Sequence, residues 1–297
     1  MLGNCQMRAL SSALRLLLPE AEISFTTFWQ AGRRHEGARQ VAARLGTPDF
    51  VVSSRFGGRF RDGTGFEELK AETGAVEVPV LLFAAFHPDL VYIFEKPGEL
   101  SLLRGPVGDY HSALAAFGFL EGLSPAQTGR LFDAAVYRRL GYLDLWDPSA
   151  KGLLEAGRLA GWDLGADLMR WARRGAFMHS VNHQKTYVTA DLARGVAARL
   201  GLAAAEADLD AVLADELLPQ GSWPVYPPVA ERYGVPGSAV FLAGGRGGPR
   251  SLGLDVFLEA SFAAYHRFRL ERFHCARVAA WRADAALREE LLAKALG

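Results

Sequence analysis

Cysteine is scarce in this chain. There are two in 297 residues, Cys5 and Cys275, and neither stands in a CxxC pair, which excludes a disulfide framework and a four-thiolate zinc site. Reduced thiols fit a cytoplasmic protein. Long apolar runs are also missing: the best stretch, VPVLLFAAF over 78–86, is half of the roughly 18 residues that a spanning helix needs. No basic segment followed by an apolar one opens the chain, so no signal peptide is expected. Excess charge of either sign is absent, with 33 Lys plus Arg against 33 Asp plus Glu; bulk charge therefore steers the protein neither to nucleic acid nor to an anionic membrane. The aromatic residues form no stacking stripe suited to bases. The glycine-rich stretches lack a P-loop lysine and a GxGxxG pattern. No glutamate or third ligand stands at metalloprotease spacing, so no metal is expected. What remains is ordinary globular composition, 50% hydrophobic and 22% charged, on a chain long enough to bury a substantial core.

Met7, Leu10, Leu14, Leu17 and Leu18 recur at helical spacing until Pro19, so a turn leads into an amphipathic helix of about three turns. EISFTTFW (22–29), DFVVSS (49–54) and VEVPVLLF (76–83) read as strands, and HEGARQVAARLG (35–46) as a helix ending at Gly46. Strands alternating with helices imply crossover connections and a largely parallel sheet. From about residue 109 the chain becomes helical. Ser124, Pro125 and Gln127 combine three helix-start signals. AFMHSVNH (176–183) returns to an extended segment, Thr189 caps a further helix, and Leu209 to Leu217 mark another. The prolines of SWPVYPPV (222–229) predict a rigid, non-helical crossing. AGGRGGPRSLG (243–253) reads as a loop before a long, broken final helix. The expected fold is α/β and helix-rich: a small, mostly parallel sheet flanked by helices, with a large helical insertion after the third or fourth strand. With no repeat and no clear linker, it forms one domain of three blocks, 1–104, 105–175 and 176–297.

Cys5 opens the first helix after Gly3 and Asn4. There the peptide dipoles and unpaired N–H groups favour a thiolate. The same N–H groups, with Asn4 and Gln6, are placed to hold an oxyanion. The alternative is a small side chain packed where strand meets helix. MHSVNHQ (178–184) supplies His179 and His183 flanking Asn182, candidates for a general base beside a nucleophile or for a polar loop bonded to backbone. His87, after a strand and before Pro88, falls where open parallel sheets bind ligands. The loop RFGGRFRDGTG (55–65), with Arg55, Arg59 and Arg61, and GGRGGPR (244–250) are phosphate-binding candidates or plain connectors. His111, His266, His274 and Cys275 fall in helical stretches and read as structural.

GNCQ at the first helix, FHP after a strand, HSVNH before a helix and VYPPV later together resemble the WcbI-type polysaccharide biosynthesis proteins. The resemblance covers most of the chain in order, and LGNCQMRAL is its most specific element. It implies coenzyme A binding and transfer of an acetyl group from acetyl-CoA to a sugar hydroxyl during capsule or surface-glycan synthesis. On that resemblance Gly3, Asn4, Cys5 and Gln6 match the first motif, His87 and Pro88 the second, and His179, Asn182 and His183 the third. Gln184 stands where the family often has proline, and the first strand is very short. The layout also resembles esterases with the SGNH arrangement, Cys5 standing in the serine position.

The resulting expectation is an O-acyltransferase with an acyl-CoA donor and a sugar or glycan acceptor, and neither nucleic acid nor a membrane span. Cys5 takes the acyl group or lines an oxyanion site, and His179 or His183 acts as base. Gly3, Asn4, Gln6, His87 and Asn182 surround the substrate, and Arg55, Arg59, Arg61 or Lys185 meets the coenzyme A phosphates. A hydrolase of the same layout and a non-catalytic binding component are the alternatives.

Overall fold

The computed structural model describes every residue except 29, 32–36, 96–100 and 245–247, and residue 270 without its side chain. Trp29 of the first predicted strand, the start of the helix predicted over 35–46 and the middle of the loop 244–250 thus lie outside the described residues. The chain divides into two compact units. One holds Met1–Leu82, Lys151–Arg173 and Asn182–Leu217; the other holds Phe83–Ala150, Arg174–Val181 and Leu218–Gly297.

The first unit is built on a four-stranded, all-parallel sheet, the α/β arrangement expected from the alternating pattern. Strands β1 (Leu2–Gly3), β2 (Thr26–Thr27), β3 (Val52–Ser54) and β4 (Val76–Val78) lie in the order β2-β1-β3-β4. Leu2 pairs with Thr26 on one side and Ser53 on the other, and Val52 pairs with Val76. The order reverses between β1 and β3, and the crevice beyond the carboxyl ends of the strands at such a switch point is where open α/β sheets bind ligands. Helix α1 (Cys5–Leu17) leaves β1 there. It buries Met7, Leu10, Leu14 and Leu17 and packs against the helix Thr186–Arg199. Helices α2 (Ala38–Leu45) and α3 (Phe66–Thr73) pack on each other over a core of Leu2, Ala31, Ala38, Val41, Phe60 and Leu69.

The strands are shorter than their apolar runs. β4 stops at Val78 because Pro79 has no N–H to give a ladder and because the backbone groups of Leu81 bond to a side chain instead. The helix predicted to be capped by Thr189 begins at Thr186, with Lys185 at the N-cap. The prolines of VYPPV do not hold the chain out of a helix. Pro227 and Pro228 open the helix Pro227–Tyr233, at positions where no N–H is needed. Part of the predicted 243–253 loop is a strand: Arg250–Gly253 pairs antiparallel with Val240–Ala243. The capping box at Ser124 forms as read, Ser124 and Gln127 exchanging bonds of 3.1 and 2.8 Å.

In the second unit, helices enclose a buried carboxylate. Asp89 is wholly inaccessible and accepts from the Leu114 N–H (3.0 Å), the Tyr142 hydroxyl (3.0 Å) and the Tyr226 hydroxyl (3.1 Å). Burial pushes its carboxyl up, against the opposing pull of Ser112, Leu114, Tyr142 and Tyr226. Its folded-state pKa therefore lies above the unfolded one. Its contribution to stability is complete below about pH 3.9 and is lost as the pH rises through the folded value. Asp89→Asn keeps an acceptor for Leu114 but cannot ionise. Its stability relative to the parent, measured by urea denaturation at pH 4 and pH 7, is expected to improve at the higher pH; a relative stability that worsens would contradict this.

Candidate functional site

The first four residues before α1 make the turn at the switch point possible. Gly3 has no space for a side chain: a Cβ there would lie 2.3 Å from Met7 Cγ and 2.9 Å from Ser54 Oγ. β1 can therefore lie this close to β3 and to the first turn of α1 only as glycine. Asn4 is the N-cap, its Oδ1 accepting from the Gln6 N–H at 3.0 Å and the Met7 N–H at 3.4 Å. That oxygen satisfies two of the donors a helix start leaves open. Asn4, expected as an extra oxyanion donor, uses its Oδ1 as the helix cap.

Gln6 is buried, and its carboxamide is fully engaged. Nε2 donates to the carbonyls of Leu81 (2.9 Å) and Asn182 (2.8 Å), and Oε1 accepts from the Leu81 N–H (3.0 Å). With Leu81 it exchanges the same pair of bonds that two peptide groups exchange in a ladder. Both amide hydrogens are used, so the Gln6 side chain has none left for a substrate oxygen; it is a clamp joining three segments of the first unit. Its hold on Asn182 fixes the main chain immediately before His183.

His183, in the short strand His183–Gln184, meets the cysteine there. Cys5 Sγ lies 3.3 Å from His183 Nε2, with Cys5 half-buried and His183 buried. The sequence places them 178 positions apart. The helix start does not make the thiol acidic, contrary to the expectation from its position. Burial pushes the Cys5 thiol up and outweighs the backbone N–H groups of Gln6 and Cys5 and the more distant charge of Arg8, all of which pull it down. A protonated thiol can donate its hydrogen to Nε2 in the tautomer that carries the ring proton on Nδ1. The N–H groups of Cys5 and Gln6 pull the thiol's pKa down against burial; the Gln6 N–H is already given to Asn4 Oδ1, so of the two the Cys5 N–H is the candidate donor to an oxygen on a carbon bonded to that sulfur. Gln184 continues the strand, with its Nε2 donating to Thr189 Oγ1 at 3.2 Å.

The basic loop leaves the same edge of the sheet, since it follows β3. Phe56 anchors it to Phe28, Phe60 and Phe66 at ring distances of 4.5, 5.3 and 5.8 Å. Arg55 is not open to a phosphate: its guanidinium binds Glu77 through Nε (2.8 Å) and Nη2 (3.1 Å) and Glu67 through Nη1. Glu77 is buried and also receives Lys70 Nζ at 2.9 Å, so Arg55 neutralises a buried charge. This pairing was missed in the sequence, although a glutamate inside the apolar VEV is a signal for it. Arg59 and Arg61 are exposed, Arg59 donating to the Gly63 carbonyl at 2.6 Å. Lys185 is half-buried at the start of its helix.

His87 and His179 belong to the second unit. His87 is buried, and its Nε2 donates to the Met178 carbonyl at 3.3 Å. His179 lies in the strand Met178–Ser180, and its carbonyl accepts from the Trp223 N–H at 2.7 Å. His111 is not helical; it sits in a strand pair, donates to the Leu103 carbonyl at 3.0 Å, and burial lowers its pKa to about 4. Cys275 is the buried N-cap of the helix Ala276–Ala283. Among the described residues no three His, Cys, Asp or Glu side chains gather as a metal site. No helix among them is long and apolar enough to cross a membrane.

A family model described as polysaccharide biosynthesis enzyme WcbI matches residues 1–205. A solved structure similar to this one is that of WcbI, described as a novel polysaccharide biosynthesis enzyme, in its native form without a disulfide bond between coenzyme A and a cysteine. It shares 16% identity, covers 100% of this chain and 98% of its own, and superposes with a TM-score of 0.68; at that identity the likeness shows the fold. No curated protein matches the chain.

Gln6→Ala would strip partners from the two buried backbone groups of Leu81 and from the part-buried carbonyl of Asn182. It is expected to cost about 3 kcal/mol in urea denaturation, since each orphaned group costs about 1–3 kcal/mol before water enters. Iodoacetamide labelling of Cys5, followed by peptide mass, is expected to rise at a higher pH in the folded protein than in the unfolded chain. A midpoint at or below the unfolded one would contradict burial as the dominant influence.

Proposed function

The chain belongs to the WcbI polysaccharide biosynthesis enzyme family, and from that premise we propose that it is an O-acyltransferase that moves an acyl group from an acyl-CoA thioester to a sugar hydroxyl in surface-glycan or capsule synthesis, working in the cytoplasm. The observation that carries the reading is the 3.3 Å contact between Cys5 Sγ and His183 Nε2 at the switch point of a parallel sheet. A nucleophile within hydrogen-bond reach of a base is the arrangement that covalent acyl transfer requires.

The steps follow from the protonation state. As Sγ attacks the thioester carbonyl, the thiol proton passes to His183 Nε2. The N–H group of Cys5 takes the charge that develops on the carbonyl oxygen. Collapse breaks the bond to the departing coenzyme A sulfur, which receives the proton from His183. The sugar hydroxyl then attacks the acylated Cys5 and gives its proton to His183. Collapse of this second adduct releases the sugar ester, and the proton returns to the Cys5 sulfur. A protonated resting thiol suits the first half, because the sulfur gives up its proton to the base only as it attacks.

In this reading His183, rather than His179, is the base. Gly3, Asn4 and Gln6 position the nucleophile, and Asn182, held by Gln6, carries His183. Arg59, Arg61 and Lys185 remain the candidates for the coenzyme A phosphates; Arg55 drops out because Glu77 and Glu67 occupy it. His87 takes no step. The similar structure whose description mentions coenzyme A and a cysteine supports the donor class.

Acetyl-CoA turnover with and without sugar acceptors tests the assignment. Release of free coenzyme A is expected to depend on the acceptor, to vanish in Cys5→Ala, and to fall by about 10²–10⁴ in His183→Asn. Equally fast release without acceptor would instead make the protein a hydrolase. Unchanged turnover in Cys5→Ala would remove the covalent route.

A further inference from the structure

Arg8 follows Cys5 by three residues on α1, so the two side chains are neighbours on one face of the helix. The guanidinium lies over the Phe25 ring, 5.3 Å from its centroid, and the residue is exposed. Stacking on a ring face fixes the plane of the group and leaves its N–H edge for a partner. Among the described residues no carboxylate pairs with Arg8. Other arginines of the first unit are engaged: Arg55 by Glu67 and Glu77, Arg15 by the Ile23 carbonyl and Ser11, and Arg170 by Asp167 and Asp191. Among the described residues Arg8 is thus an oriented cation without a carboxylate partner, beside Cys5, and its charge lowers the pKa of the thiol.

The coenzyme A phosphates are not its partner. With a thioester carbon at Cys5, the extended pantetheine arm, as long as about four residues of extended chain, carries the phosphates roughly 14 Å away. The acceptor hydroxyl attacks acylated Cys5 from the side that coenzyme A has left, and a group one helical turn from the cysteine is near enough to meet a substituent next to that hydroxyl. We infer that Arg8 recognises an anionic group, a carboxylate or phosphate, on the acceptor sugar beside the hydroxyl that is acylated. The inference rests on the transferase reading above. A planar guanidinium fork binds either anion through paired N–H groups. The acceptor class is therefore an acidic sugar, such as a uronic acid or a sugar phosphate, in preference to its neutral counterpart.

Two measurements test this. The first compares alkylation of Cys5 by iodoacetate and by iodoacetamide, read at the Cys5 peptide, in the parent, R8Q and R8K. The ratio of the two rates cancels any change in thiolate fraction, and it requires no transferase activity. R8Q is expected to lower the ratio by ~3-fold or more, from one unit charge at about 6 Å in water, and R8K to retain most of it. An unchanged ratio in R8Q overturns Arg8 as an anion-binding residue whatever becomes of the transferase reading.

The second compares acetyl transfer to a neutral sugar, its uronic acid and its phosphate. A lower KM for either acidic sugar, lost in R8Q, is the expected result, and the two acids distinguish carboxylate from phosphate. Equal KM for the neutral sugar overturns the acceptor class. So does an anion preference that resides in the donor, with succinyl-CoA favoured over acetyl-CoA on neutral sugars. Absence of transfer to any sugar, with the alkylation ratio still dependent on Arg8, would overturn both the acceptor class and the transferase reading while leaving anion binding at Arg8 intact.

Discussion

One side-chain carboxamide organises the site. Gln6 gives both amide hydrogens and its oxygen to the backbone of Leu81 and Asn182, so the first turn of α1, the segment after β4 and the segment before His183 are bonded at a single buried point. A buried amide with all its bonds made is stabilising and geometrically demanding; with one bond missing it becomes costly. That requirement fixes where His183 can lie. Gly3 and Asn4 meet the remaining needs of the same corner, one by having no side chain and the other by capping the helix. The thiol and the imidazole meet because the residues around them leave the backbone little alternative.

The same burial decides the electrostatics. A helix start offers a thiolate several N–H donors and the positive end of the peptide dipoles, worth a few tenths to about 2 kcal/mol. Moving a charged sulfur away from water works against it and is the larger influence on Cys5. The resting cysteine is therefore a neutral thiol rather than a thiolate. In the proposed reaction the thiol loses its proton only as the sulfur attacks, so the cost of burying a thiolate is not met in the resting protein.

Much of this was legible in the sequence, and the rest was hidden for definite reasons. The alternation of strand-like and helix-like segments gave the parallel sheet, and the Ser124 capping box could be read from three residues. GNCQ stood out as a unit, yet the tasks of its members did not. Gln6 reads as a polar residue at a helix start, and its partners lie 75 and 176 positions away, beyond any local signal. Arg55 looked like a phosphate ligand because Glu77, which neutralises it, is 22 positions on in the next strand. His179 and His183 were equivalent by composition, and only the fold sets one of them against the sulfur. Arg8 was passed over within an amphipathic repeat, where an arginine on the outer face attracts no notice. The prolines of VYPPV misled because the rule that removes proline from a helix interior does not apply to its first residues.

The central claim is that Cys5 and His183 act as nucleophile and base across 178 positions of chain. Intact mass of the protein after brief exposure to acetyl-CoA, without acceptor, tests it most directly. The account predicts one acetyl group, mapped to Cys5, appearing in the parent and strongly slowed in His183→Asn, then discharged on addition of an acceptor sugar. An acetyl group that never appears on Cys5, or that appears equally fast without the His183 imidazole, would contradict it.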